Sequence, residues 1–270
     1  MSSSNIPVDK PVGVPAGRFG ITSEELSQLR QAFHGPDWYL RGAEYNIKIR
    51  AETVKAFVRN NHFDSILDIG CGDGSLSLPL LNADSRLTLL DQSRAMLRIA
   101  RARIPAELAS QAQTVQADFM DVPLEDRRFD LILCVGVLAY IERRRECLAK
   151  IKTLLKPGGS VVLECTDADH FLSRVILGYE TLRRALRPTR LRTMVGSSAD
   201  IVSLFQGLGF QLVDSFRYSL PPPVVRKVIS QKLSYQAIRF IFGTARHNRN
   251  PWLGNECAVP FRKWIGTPGS

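Results

Sequence analysis

Apolar residues along this chain come in short unbroken runs, separated by stretches of helical period. "SILDIG", "LTLLD", "FDLILCV" and "SVVLEC" are such runs. Strands look like this, without polar alternation, when helices cover both faces of a mostly parallel sheet. The pattern predicts strand 64–70, helix 75–82, strand 86–91, helix 93–103, strand 112–117, strand 129–135, helix 144–155 and strand 159–165. "LKPGGSVVLEC" adds a helix end, a Pro–Gly–Gly turn and a buried strand. Further on, "GSSADIVSLFQGLGFQLVDSFRYSL" gives a capped helix, a glycine break and a strand that the three prolines at 221–223 stop. A last strand is expected near Glu256–Lys263.

These elements add up to an α/β fold of three layers: a seven-stranded, mostly parallel sheet with helices on both faces. Residues 1–20 read as a loose tail, because "MSSSNIPVDKPVGVPAGRFG" is rich in Ser, Pro and Gly and lacks the apolar core of a signal peptide. "TSEELSQLRQAFHG" and the second half of "RGAEYNIKIRAETVKAFVRNN" read as helices, which makes 21–60 an N-terminal helical cap. Residues 61–270 form one domain, with an insertion at about 221–251 expected as a lid before the last strand.

Composition narrows the class. The 270 residues are 44% hydrophobic and 23% charged, ordinary for a globular protein. The longest apolar run, 131–141, is too short to cross a bilayer. Five cysteines show no CxxC pair or metal-ligand spacing, so reduced thiols in a cytoplasmic protein are expected, with no metal. The net charge of +10 is uneven: from Arg183 onward 14 Lys/Arg face 3 Asp/Glu, while residues 1–182 carry a net −1.

Candidate chemistry begins at "ILDIGCGDG", where Gly70, Gly72 and Gly74 turn the first strand toward a helix. A dinucleotide fingerprint, GxGxxG, would put its third glycine where Ser75 stands. Asp73 would also meet an anionic pyrophosphate with like charge. A cofactor with a positive centre and no phosphate suits the loop better than NAD.

At this point the sequence resembles the class I S-adenosylmethionine-dependent methyltransferases, a Rossmann-like family, over roughly Ser65 to Thr166. By that resemblance Asp68 and the backbone of Gly70 and Gly72 hold the methionine part of S-adenosylmethionine. Asp91 ends the second motif, "LTLLDQS", and accepts both ribose hydroxyls, with Gln92 beside it. In "VQADFMD", Asp118 meets the adenine amino group and Phe119 supplies an apolar wall. The fourth strand exits at Val135 and Gly136 beneath the sulfonium, and "LLKPGG" leads into the fifth strand. Upstream, the resemblance folds "DWYLRGAEYNIKIR" over the cofactor, so Tyr39, Tyr45 and Arg50 are candidates to touch its carboxylate or methyl group. A non-catalytic cofactor-binding protein and, more remotely, an NAD-linked oxidoreductase are the rival readings.

The fourth strand ends in "CVGVLAYI", without the Asn/Asp-Pro-Pro-aromatic tetrad of base and amide methylases. The expected substrate is therefore a small molecule, lipophilic or anionic, methylated at oxygen in preference to nitrogen or carbon. His170, in "TDADH" after the fifth strand, is the candidate general base, because its ordinary pKa lies near neutrality. A helix-capping Asp pair beside a solvated histidine is the alternative reading of that loop. Tyr140 either lines the pocket or packs. The basic last third has three readings: a solvated surface, an anion-recognising lid using Arg226, Lys227, Lys232 and Arg239, or peripheral membrane contact. The third rests on Val225, Ile229, Leu233, Ala237, Phe240 and Ile241 sharing one helix face. No aromatic–basic module points to nucleic acid. The chain is expected to be a monomer or homodimer.

Overall fold

The computed structural model describes residues 40, 42–124, 127–141, 143–176, 178, 196–222, 225 and 228–264. Ten strands are seen among them: β1 (Ser65–Ile69), β2 (Arg86–Asp91), β3 (Ala112–Gln116), β4 (Phe129–Cys134), β5 (Leu155–Thr166), β6 (Phe210–Leu212), β7 (Phe216–Tyr218), β8 (Gly243–Thr244), β9 (His247–Asn248) and β10 (Glu256–Lys263). Helices are α1 (Glu44–Val58), α2 (Arg94–Ala102), α3 (Arg144–Leu154), α4 (Ser198–Gly207) and α5 (Gln231–Phe242). The main sheet runs β3-β2-β1-β4-β5-β10-β6, parallel through β5, with β10 antiparallel to its neighbours. Both β6 and β7 pair with β10, so the outermost position is one strand interrupted at 213–215. The expected seven-position sheet is the one found.

Both faces of the central strands are apolar, which explains the unbroken runs. Along β4, Leu131 and Leu133 join one core with Val54, Val58, Leu87 and Leu97, while Ile132 and Cys134 join another with Leu148, Ile151 and Phe205. One core lies under α1 and α2 and the other under α3 and α4. Burying each such side chain contributes about 1.5–3 kcal/mol. A third cluster, Tyr45, Ile49, Phe216, Tyr218, Ile238 and Phe242, binds α5 to α1 and β7.

Two local differences from the sequence reading have clear causes. The helix expected over 75–82 is replaced by turns and a short 3-10 segment, Leu78–Leu80. Pro79 accounts for this, since proline in a helix interior has no N–H and clashes with the carbonyl four residues back. Strand β5 starts at Leu155 instead of 159, because "KPGG" is absorbed as a register shift against β4. Ser93 caps α2 and Ser197 caps α4, each accepting the backbone N–H three residues on.

Candidate active site

A cleft opens at the carboxyl ends of β1, β2 and β4, where parallel α/β sheets place their ligands. Its empty volume, counted out to the mouth, is about 1130 Å³. The glycine turn forms its floor. The N–H groups of Gly70 and Cys71 both donate to the Leu90 carbonyl, at 2.8 and 3.0 Å, fastening the turn to β2. Two of the three glycines are needed for packing: a Cβ on Gly70 would lie 2.5 Å from Val137 Cγ2, and one on Gly74 would lie 2.7 Å from Leu78 Cδ1. Gly72 differs. Its φ is +55° and a Cβ there would meet nothing within 4 Å, so its bare backbone faces open space in which a ligand fits closely.

Four carboxylates line this cleft, Asp68, Asp73, Asp91 and Asp118, against one guanidinium, Arg50. Asp68 is buried and accepts the Ser77 hydroxyl at 2.5 Å. Burial, reinforced by Asp91 and Asp73, pushes its pKa up to about 7. Asp91 accepts the N–H of Gly72 at 2.9 Å through one oxygen and that of Ser93 at 2.8 Å through the other. Asp118 accepts the Met120 N–H and the Gln92 side-chain amide, both at 2.9 Å.

Asp73, whose charge the sequence argument aimed at the cofactor, is occupied elsewhere. It accepts the N–H and hydroxyl of Ser75 and forms an ion pair with Arg103. Arg103 therefore offsets its charge locally. With Pro79 preventing a helix after the turn, no helix N-terminus follows the glycine turn to take a pyrophosphate, and the start of α2 at the cleft is already met by Asp91. An acidic lining suits a cationic ligand, so the residues present fit S-adenosylmethionine.

Arg50 reaches the cleft from α1. Its guanidinium pairs with buried Glu164 at 2.6 Å and lies so close to Gly136 that a Cβ there would be 2.8 Å from Nη1. Tyr218 Oη stands 2.7 Å from Glu164 Oε1 and 2.8 Å from Asn46 Oδ1, extending this buried network toward β7. Phe119 is held by Lys150, whose ammonium lies 5.1 Å from the ring centroid and donates to the carbonyls of Phe119 and Val122.

Of the residues singled out from sequence, Asp68, Gly70, Gly72, Asp91, Gln92, Asp118, Phe119, Val135, Arg50 and Tyr140 all line the cleft. Of the remaining three, two lie elsewhere. Tyr39 lies outside the described residues. Tyr45 is buried against Phe216 and Ile238, because it stands on the side of α1 that α5 covers. His170 is absent from the cleft: its Nε2 donates to the Trp252 carbonyl at 2.8 Å, and its Nδ1 accepts the Leu172 N–H at 3.2 Å. These partners fix the tautomer and occupy both nitrogens, so in this structure His170 caps the helical turn at 171–176, outside the cleft lining. The insertion forms no lid among the described residues, since α5 packs on α1 and none of 221–251 lines the cleft. Within it Arg239 pairs with Glu52, while Arg226 and Lys227 lie outside the described residues. Glu164 went unnoticed in the sequence, although a lone acid in "SVVLEC" was its signal.

Comparison with known proteins gives a consistent picture. Residues 67–163 match a family model described as a methyltransferase domain. Demethylmenaquinone methyltransferase from Clavibacter sepedonicus is 29% identical over 136 residues, 50% of this chain and 54% of that protein. The chain thus spans about half the length of that relative. Ubiquinone biosynthesis O-methyltransferase from Rickettsia typhi is 19% identical over 71% of this chain and 85% of its own. Among solved structures, magnesium protoporphyrin IX methyltransferase from Synechocystis PCC 6803, with bound S-adenosylhomocysteine, superposes with a TM-score of 0.60 at 16% identity, covering 88% of this chain and 99% of that one. At that identity the likeness speaks for the fold.

Proposed function

We propose that this chain, whose residues 67–163 match a family model described as a methyltransferase domain, is a class I S-adenosylmethionine-dependent enzyme whose cleft binds this cofactor and methylates an oxygen of a small lipophilic or anionic molecule. The observation that carries the reading is the cleft's acidic lining, Asp91 and Asp118 with buried Asp68 and with Asp73 offset by Arg103, against one lining guanidinium, Arg50, in a protein of net charge +10. A cation is drawn to such a site and a dinucleotide is repelled from it.

Asp91 would accept the ribose hydroxyls, Asp118 with Gln92 the adenine amino group, and Phe119 would wall the ring. Asp68 and the Gly72 backbone would hold the methionine end, whose carboxylate Arg50 is placed to meet. The cofactor, when bound, supplies an electrophilic methyl group on a sulfonium. The chain's own work is to align an acceptor with that carbon and to keep water out.

No histidine lines the cleft among the described residues, and each of its four carboxylates already accepts hydrogen bonds from the chain. Proton removal by a dedicated base therefore has little support. An acceptor oxygen acidic enough to ionise near neutral pH, as in a carboxylic acid, a vinylogous acid or a phenol carrying electron-withdrawing groups, would need no base and would be drawn to the cofactor's sulfonium. The O-methyltransferase among the relatives supports the same acceptor atom.

The test has two arms. Thermal shift with S-adenosylmethionine, its demethylated product and NAD(P) reads the cofactor, with about 2.7 kcal/mol of stabilisation at a hundredfold excess over Kd. Stabilisation by NAD(P) alone overturns the cofactor reading. Mass spectrometry of products from a panel of acidic hydroxyl compounds, amines and carbon acids reads the acceptor, and methylation confined to nitrogen or carbon overturns the oxygen assignment.

A further inference from the structure

We propose that this protein docks on an anionic lipid bilayer through the outer face of α5, bringing the edge of the sheet that carries the cleft mouth to the membrane. Helix α5 has two apolar sides. Ser234, Ile238 and Phe242 face inward, in contact with α1 and β7. On the flank next to it Leu233, Ala237, Phe240 and Ile241 repeat at the spacing of one helical face and stand exposed, Leu233 at 55% and Phe240 at 78%. A surface helix of a globular protein turns polar residues outward. This one turns leucine and phenylalanine.

The charge around that face names the occupant. Along the sequence, residues 215–255 contain seven Lys/Arg and no Asp or Glu, although Arg217 pairs with Asp167 and Arg239 with Glu52. Lys232, Arg246 and Arg249 are exposed. A protein partner would match an apolar face with an apolar face and would gain nothing from these exposed cations. An exposed apolar strip with Lys232 on its own helix and Arg246 and Arg249 just past its end is the pattern that inserts into an interface of anionic headgroups.

The hydrogen bonds orient the surface. The side-chain amide of Asn248 donates to the carbonyls of Phe242 and Arg217, joining the end of α5 to β7. Strand β7 pairs with the Glu256 end of β10, which faces Thr166 at the carboxyl end of β5. That is the sheet edge on which the cleft opens. Trp252, 67% exposed, lies on the same edge beside exposed Phe171, to which it is linked through the His170 ring. A tryptophan at this position suits the headgroup layer. An acceptor dissolved in the bilayer would then reach the cleft without crossing water. The docking itself does not depend on the reaction assigned to the cleft.

Sedimentation of the whole protein with phosphatidylcholine vesicles, with and without phosphatidylglycerol, tests this. Wild type should pellet with the phosphatidylglycerol vesicles, weakly with phosphatidylcholine alone, and less as salt is added. Leu233→Ser with Phe240→Ser should weaken binding at least tenfold. Lys232→Gln with Arg246→Gln should weaken it about fivefold per charge. All these side chains are exposed, so both variants should keep the wild-type melting temperature and affinity for S-adenosylhomocysteine. Wild type remaining in the supernatant at low salt overturns the proposal, as does binding by either variant equal to that of wild type. A dimer in sedimentation velocity that Leu233→Ser with Phe240→Ser dissociates would give the face to a second copy and also overturn it.

Discussion

The carboxylate of Asp91 accepts the backbone N–H of Gly72 at 2.9 Å, so the residue that ends β2 braces the turn that follows β1. Its second oxygen takes the N–H of Ser93, the cap of α2. One acid thus fixes the glycine turn and a helix start while facing the cleft.

Asp91→Ala removes all of this at once. Hydrogen bonds to a charged group are worth roughly 1.5–3 kcal/mol each before water compensates. Affinity for S-adenosylhomocysteine should fall at least tenfold by calorimetry, with a melting temperature lower by a few degrees. Asp91→Asn keeps one carbonyl acceptor and should lie between. Unchanged affinity in the alanine variant would reduce Asp91 to a brace for the turn.

Glycine substitutions should separate packing from binding. Gly70→Ala drives a methyl group into Val137, so its effect should appear mainly as lost stability. Gly72→Ala meets only open space, and the left-handed backbone costs about 1–2 kcal/mol. Its methyl group points where the ligand's close approach is expected, so cofactor affinity should drop by more than stability does. Equal cofactor affinity in the two variants would contradict the assignment of Gly72 to the ligand.

The fold was legible because its strands are buried on both faces: strand β2 was bounded from sequence at 86–91, as found, and β10 at Glu256–Lys263. What local pattern could not show was long-range pairing. Tyr45 and Arg50 sit on the same helix, yet one side of α1 meets α5 and the other meets the cleft, and only the tertiary arrangement decides which. His170 sits at the right strand end, but its ring is claimed by a carbonyl 82 residues away. Pro79 is the opposite case, a visible helix breaker outweighed in the reading by the family-like glycine turn.

Stability should depend on pH through Asp68 and Glu256. Burial raises both carboxyls, from 3.8 and 4.5 respectively, to about 7. Between about pH 4 and pH 7 the folded chain therefore holds protons that the unfolded chain has released. Their contribution to stability falls as pH rises through that window and levels off above about 7. In urea titrations across this range, the wild type should lose stability relative to Asp68→Asn, which has no proton to release. An ammonium beside Asp68 would favour its ionised form, so S-adenosylhomocysteine binding should release protons below pH 7. A constant difference between the two proteins across the window would contradict the raised pKa.

Arg50 and Glu164 should behave as a unit. Removing either partner leaves a buried charge uncompensated, which typically costs 3–5 kcal/mol. Arg50→Met alone should therefore be strongly destabilised, and adding Glu164→Gln should restore much of the loss. Cofactor affinity should stay low in the double variant, because the guanidinium that would meet the cofactor's carboxylate is still missing. If affinity recovers together with stability, Arg50 serves the fold and not the ligand.

The decisive mutation for the chemistry is His170→Ala. Its Nε2–H is bonded to the Trp252 carbonyl and its Nδ1 to the Leu172 N–H, so neither nitrogen is available to take a proton from an acceptor. Losing a helix cap and one neutral hydrogen bond costs on the order of 1–2 kcal/mol. The variant should unfold at a lower temperature, yet methylate with kcat within about twofold of wild type, since a base contributes 10²-fold or more. His170→Asn, which can still cap Leu172, should regain part of the stability. The pH–rate profile should keep its shape in both variants, because the acceptor's own ionisation and not this imidazole would govern it. A hundredfold fall in kcat at normal melting temperature and KM would make His170 the base after all, requiring the loop after β5 to rearrange when substrate binds.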